Sequence, residues 1–169
     1  MAQLIAEHAP TSTLRVGVDL VRVADVAESL TRFGDRYASR VYTPDEREYC
    51  RSEASQTAHR YAARFAAKEA TLKVLRPACD DGVAWQSIEI RRLAGGACEV
   101  HLHGEALTLA RRVGIAELSV SMSHEHEYAT ATVVARLRQG HGGTTPHSTN
   151  VVYAGMRPAG RHSQSSWDA

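Results

Sequence analysis

The chain has 169 residues, 43% of them hydrophobic and 23% charged, and a formal net charge of +1. That length fits one domain with a real core, and the balanced charge gives no bulk attraction to nucleic acid. Cys50, Cys79 and Cys98 are few, odd in number and far apart, which argues against a disulfide scaffold or a cysteine-rich zinc site and for a reducing compartment.

Residues 1 to 13 read as a loose leader, and "MAQLIAEHAP" lacks the basic start and apolar run of a secretory signal. No apolar segment is long enough to span a bilayer, so a cytoplasmic protein is expected. "LRVGVDLVRV" is a nearly continuous β-branched run, as in a buried strand. "ADVAESLTRFG" is helical in composition, with Gly34 placed to stop it. "TPDEREYC" carries a strong helix start: Thr43 as N-cap, Pro44 in the first turn, and Glu46 completing a capping box. A long helix is predicted from about Thr57 to Leu75, ending before Pro77.

The second half changes period. "SIEIRRL" and "CEVHLH" alternate and are joined by "AGGA", which predicts a hairpin. "GEALTLARRVG" is a short amphipathic helix with Gly114 as its C-cap. "ELSVSMS" and "YATATVVARL" are two more strands, with His124 to Glu127 turning between them. Helices and antiparallel strands segregate, so the fold class is α+β, an antiparallel sheet packed with helices around one long central helix. From about residue 139 the chain turns to Gly, Ser, Thr, His and Pro. Such a composition buries too little surface to offset its ordering entropy. The expected organisation is therefore a domain over 14–138 and a disordered tail over 139–169.

Two acids stand where acids are unexpected. Along the long helix, Ala58, Tyr61, Ala62, Phe65 and Leu72 form one apolar stripe, and Glu69 falls on it. Asp19 sits inside the apolar strand "VGVDLV", although Asp is depleted in strands. One reading is an ordinary helix pair of Glu69 with Lys73 at i+4, worth a few tenths of a kcal/mol when exposed. The other starts from the several kcal/mol that a buried, unpartnered carboxylate costs, which demands a metal, a fixed cation or a hydrogen-bond network. Two such acids suit Mg²⁺, which takes one or two carboxylates and leaves its other positions to water and phosphate oxygens. Lys73 beside them would be a point charge for phosphate, a constellation fitted to phosphoryl transfer. His101, His103, His124 and His126 could hold zinc, but solvent-facing histidines on hairpins are the plainer account. There is no P-loop, GxSxG, HExxH or CxxC.

The motifs "GVDLVRV", "YASRVYTPDE", "ARFAAKEATLKVL", "SIEIRR" and "VSMSHEHEYATATVVA", in this order over residues 14 to 137, resemble the holo-acyl-carrier-protein synthase group of 4′-phosphopantetheinyl transferases. The resemblance implies transfer of 4′-phosphopantetheine from coenzyme A to a serine of an apo acyl carrier protein of fatty-acid or polyketide type. It implies Mg²⁺ on Asp19 and Glu69, and Lys73 near the transferred phosphate. Arg64 would hold coenzyme A phosphates, with His124 and the adjacent Ser123 at the nucleotide end. It also implies a homotrimer whose sites are shared between neighbours. The competing expectation is a trimeric coenzyme A- or nucleotide-binding module without transferase activity, which would not need Asp19 and Glu69 together. This chain departs from the family pattern at the hairpin near the nucleotide, which reads "GGAC" over Gly95–Cys98. It departs again after the first strand, where Arg22 precedes Asp25. Arg32, Arg36 and Arg40 recur every four residues and would line one face of a straight helix, either for a carrier or for solvent.

Overall fold

The computed structural model describes residues 14–138; the expected leader and tail lie outside the described residues. Strand β1 (Leu14–Arg22) leads into helix α1 (Val23–Val41), then α2 (Pro44–Arg51) and the long α3 (Thr57–Leu75). Strands β2 (Ile88–Arg92) and β3 (Cys98–Leu102), helix α4 (Gly104–Arg112), and strands β4 (Ile115–Glu125) and β5 (Tyr128–Leu137) follow. The strands make two antiparallel sheets, one ordered β1-β5-β4 and one pairing β2 with β3, in keeping with the α+β expectation. Among the described residues no helix is long and apolar enough to cross a membrane.

Helix α3 lies on one face of the three-stranded sheet, and its packing side is made of alanine. Ala62, Ala66, Ala67 and Ala70 are fully buried, with Val74 and Leu75 beyond them. Side chains this short let the helix backbone come down onto β1. At Gly17 an added Cβ would lie 2.1 Å from the Ala70 carbonyl oxygen, so only glycine permits this approach. Of the predicted stripe, Tyr61 and Ala62 are buried, whereas Ala58, Phe65, Glu69 and Leu72 lie on the half-buried side of α3. The stripe thus borders the core face, whose centre is alanine, a residue that carries little weight in a count of large apolar side chains. The charge that α3 does bury completely is Lys68, one residue earlier.

Strand β1 also differs from expectation. Gly17 is buried, but Val16, Val18 and Leu20 on the alternate face are 61%, 53% and 64% exposed. The strand is at the sheet edge and covered by α3 on one face only, so its β-branched run serves two different environments. Gly34 interrupts α1 without ending it: at φ 52°, ψ −133° it breaks the helix, which then resumes and buries Ala38 and Val41. Arg32 consequently stands on a different segment from Arg36 and Arg40, and the three do not share one straight row.

The local signals around α2 and the hairpins are realised in detail. Thr43 Oγ1 accepts from the Glu46 amide (3.3 Å) and Glu46 Oε2 accepts from the Thr43 amide (2.8 Å), completing the capping box. The Leu93 amide donates to the Ala97 carbonyl (2.8 Å) across the β2–β3 turn. The β4–β5 turn is tighter than predicted: His124 remains in β4, paired with Ala129, and only His126 and Glu127 turn. His126 takes a positive φ of 38°, as the first position of a two-residue hairpin loop demands.

Candidate active site

The alternation of a strand decides which side chains meet α3. On β1, Asp19 shares the inner face with Gly17 and Val21; across the sheet the same face carries Ala131 and Met122 in one row and Ala129 and His124 in the next. Asp19 and Glu69 line one open cavity of about 640 Å³ between β1, α1 and α3, with Asp25, Ser29, Tyr37 and Phe65 around it. Lys73 belongs to the same corner. Its Nζ donates to Asp19 Oδ1 (2.8 Å) and to the Val18 carbonyl (2.6 Å), so its ion-pair partner is Asp19 rather than Glu69.

Burial, and then the negative charge of Asp19, push the Glu69 carboxyl above the ordinary glutamate range, with Lys73 pulling the other way. Two carboxylates that repel one another across a solvent-open cavity fit a hard divalent cation, which would relieve the repulsion. Among the described residues no group of three or more His, Cys, Asp and Glu gathers as a metal cage. A cation held here would have two protein carboxylates, its remaining positions falling to water and substrate oxygens.

A second cavity, of about 290 Å³, opens on the other flank of α3, over β4. Tyr49, Arg60, Arg64, Arg92, Cys98 and His124 line it. The guanidinium groups of Arg64, Arg60 and Arg92 lie 4.2, 4.7 and 5.6 Å from the Tyr49 ring centre. Arg60 has a carboxylate partner in Glu53 (2.5 Å), and Arg92 donates to the Tyr49 hydroxyl (2.8 Å). Arg64 is 3% exposed, and its Nε finds no partner among the described residues. Three cations around one ring with one carboxylate between them make an anion site, since a buried, unpaired guanidinium is strongly unfavourable. The His124 ring lies 5.2 Å from that of His59, whose Nε2 donates to the His126 carbonyl (3.0 Å).

The expected site residues are thus divided. Asp19, Glu69 and Lys73 stand together on one flank of α3, and Arg64 and His124 on the other. Ser123 joins neither: it is exposed and points, with its register partner Thr130, to the sheet face opposite His124. The remaining histidines do not converge either, for His101 Nε2 meets Glu99 (3.0 Å), His103 Nε2 meets Glu89 (2.9 Å), and His126 pairs with Glu125. Arg60 is not among the expected site residues, although its place one turn before Arg64 on α3 is a signal that could have found it. Tyr49 and Arg92 come from α2 and β2, and nothing local in the sequence joins them to Arg64.

Comparison with known proteins decides what this arrangement belongs to. Residues 15–133 match the model of the 4′-phosphopantetheinyl transferase superfamily. The chain belongs to that superfamily. A holo-[acyl-carrier-protein] synthase of Koribacter versatilis is 42% identical over 121 residues, covering 72% of this chain and 96% of that protein. Among solved structures, the Chronobacterium ammoniagenes ACPS–CoA complex is 33% identical with a TM-score of 0.67, covering 75% of this chain and 98% of the other. The Helicobacter pylori holo-[acyl-carrier-protein] synthase in complex with coenzyme A is 27% identical with a TM-score of 0.62, covering 72% and 99%. This member of the phosphopantetheinyl transferases is accordingly an enzyme of the holo-[acyl-carrier-protein] synthase type.

Proposed function

We propose that the chain transfers 4′-phosphopantetheine from coenzyme A to a serine hydroxyl of an apo acyl carrier protein, with Mg²⁺, and releases adenosine 3′,5′-bisphosphate. The observation that carries this reading is the shared cavity of Asp19 and Glu69, with a Glu69 carboxyl raised by burial and by Asp19. Asp19 and Glu69 would hold Mg²⁺, which supplies neutralisation of the pyrophosphate charge when bound.

The rest of the chemistry falls to this chain's own side chains. In the reaction the bond from the bridging oxygen to the pantetheine-side phosphorus breaks, and that oxygen leaves with adenosine 3′,5′-bisphosphate. A bond forms from serine Oγ to the same phosphorus, and the serine proton passes to a water or carboxylate in the cavity. The Lys73 ammonium, next to Asp19, would donate to the transferred phosphate or to the departing oxygen. Arg64, with Arg60 and Arg92, binds coenzyme phosphates, and His124 flanks the nucleotide end. Positioning and charge neutralisation do most of the work in such a transfer.

A homotrimer with sites shared between neighbours fits two features. In one chain α3 stands between the acidic and the basic cavities, so a neighbour's basic flank would complete the acidic one. The outward face of β1 presents Leu14, Val16, Val18 and Leu20 to solvent, an apolar strip of the kind that marks an association surface. The three cysteines are unpaired, as suits a reducing cytoplasm.

The test is transfer itself. The chain is incubated with coenzyme A, Mg²⁺ and a panel of apo carriers of fatty-acid and polyketide type, and each carrier is weighed by mass spectrometry. One phosphopantetheine added to at least one carrier is expected; no addition to any carrier rejects the transferase in favour of a binding module.

A further inference from the structure

Three of the elements that line the basic cavity, α2, α3 and β2, meet at one ammonium. Lys68 is fully buried in α3, and its Nζ pairs with Glu46 Oε2 on α2 (2.8 Å). The same Nζ donates to the Trp85 carbonyl (3.0 Å), just before β2, and to the carbonyl of Ile88, the first residue of β2. Glu46 extends the link, its Oε1 accepting from the Ile90 amide of β2 (2.9 Å). Each element tied in this way carries a cavity group close in sequence to the tie. Tyr49 lies one turn beyond Glu46, Arg64 one turn before Lys68, and Arg92 two residues beyond Ile90 on the same strand face.

We propose that Lys68 is a positioning residue for the coenzyme pocket, its ammonium fixing the separation of Tyr49, Arg64 and Arg92. The inference rests on the reading that this pocket takes coenzyme phosphates. Stability alone gives no reason for such a group, because a buried ion pair is often no more stabilising than an apolar pair of the same volume. An ammonium does what an apolar group cannot: it bonds directionally to a helix side chain and to two strand-side carbonyls at once, and so sets α2, α3 and β2 in register. Arg64 has most to lose from slack here, since its guanidinium is stacked on Tyr49 and lacks a carboxylate to hold it. Glu69 and Asp19 depend instead on the contact of Gly17 with Ala70, at the other side of α3.

The experiment compares the wild-type chain with Lys68→Met/Glu46→Gln, in which no buried charge is left unpaired and the neutral amide still has an oxygen for the Ile90 amide. Lys68→Gln/Glu46→Gln, which also leaves no buried charge unpaired but keeps an amide donor at position 68, is a milder second variant. Folding is followed by circular dichroism, transfer kinetics by varying coenzyme A, and cation binding by Mn²⁺ titration. The methionine variant is expected to stay folded, with KM for coenzyme A raised about tenfold and kcat and Mn²⁺ affinity kept, since displacements of around an ångström have effects of that order or larger. Lys68→Gln/Glu46→Gln should raise KM in the same direction by a smaller factor, and it carries the test should the methionine variant unfold. An unchanged KM in a folded variant, or KM, kcat and Mn²⁺ affinity all worsening by one common factor, overturns the positioning role. A wild-type chain that binds no coenzyme A overturns the pocket reading itself, and the role of Lys68 falls with it.

Discussion

The two flanks of α3 handle charge in opposite ways. Over β1, the cavity of Asp19 and Glu69 is open to solvent, and the cations beside it, Lys73 and Arg22, are paired with Asp19 and Asp25. Over β4, three arginines surround Tyr49 and one carboxylate, Glu53, answers them. One flank has a carboxylate, Glu69, without an ion-pair partner of its own among the described residues, and the other has more cations than carboxylates. A magnesium complex of a phosphorylated nucleotide supplies a cation for the one and an anion for the other. A helix about 10 Å across separates the flanks within one chain, and the proposed trimer would let one ligand meet the acidic flank of one copy and the basic flank of another.

The comparison breaks most visibly at the acids. Asp19→Ala and Glu69→Ala should each lower transfer by at least about a hundredfold while the protein stays folded and still binds coenzyme A, because the electrostatic stabilisation of the transition state is lost. Mass spectrometry of the carrier, alongside calorimetric coenzyme binding, measures both halves. Val16→Lys puts a charge on the exposed strip of β1 and leaves both cavities intact within one chain. It should dissociate the assembly in sedimentation experiments and lose most activity; full activity from a monomer would show that one chain unites the flanks by itself.

Gly17→Ala addresses the seat of the acidic flank. A methyl group 2.1 Å from the Ala70 carbonyl must lift α3 from β1, at a cost of about 1–3 kcal/mol in urea unfolding, with transfer falling as Asp19 and Glu69 move apart. Arg64→Met affects the other flank. It should raise KM for coenzyme A roughly tenfold, as loss of a charge-assisted hydrogen bond would, and leave Mn²⁺ affinity alone.

The smallest effect is in pH. The folded chain holds the Glu69 proton to higher pH than the unfolded chain, so this group's contribution to the stability of the metal-free protein falls as pH rises from its unfolded value through its raised folded one. A cation binds the ionised form. Mn²⁺ affinity should therefore drop with falling pH from a point above the ordinary glutamate value of about 4.3, and Glu69→Gln should flatten that dependence.

The acidic flank was legible in the sequence because Asp19 breaks an apolar strand and Glu69 breaks an apolar stripe, and each anomaly is local. The helix boundaries of α3 and the capping box of α2 were legible for the same reason. Burial was not. Phe65 and Leu72 drew attention to the half-buried side of α3, while the alanines that carry the packing, and the wholly buried Lys68 one residue before Glu69, were passed over. The basic flank was legible only at Arg64 and His124, through family resemblance, because Tyr49 and Arg92 reach them by contacts between distant segments. Ser123 shows the limit of adjacency, since neighbours on a strand face opposite ways.

The most direct measurement is the titration of the chain with Mn²⁺, a stand-in for Mg²⁺, read by the loss of the free-ion paramagnetic resonance signal. The wild-type chain should bind one ion per copy, more tightly once coenzyme A is present, and Asp19→Ala and Glu69→Ala should each lose that binding. A Glu69→Ala chain that keeps wild-type affinity and stoichiometry would contradict the claim that these two carboxylates share one cation.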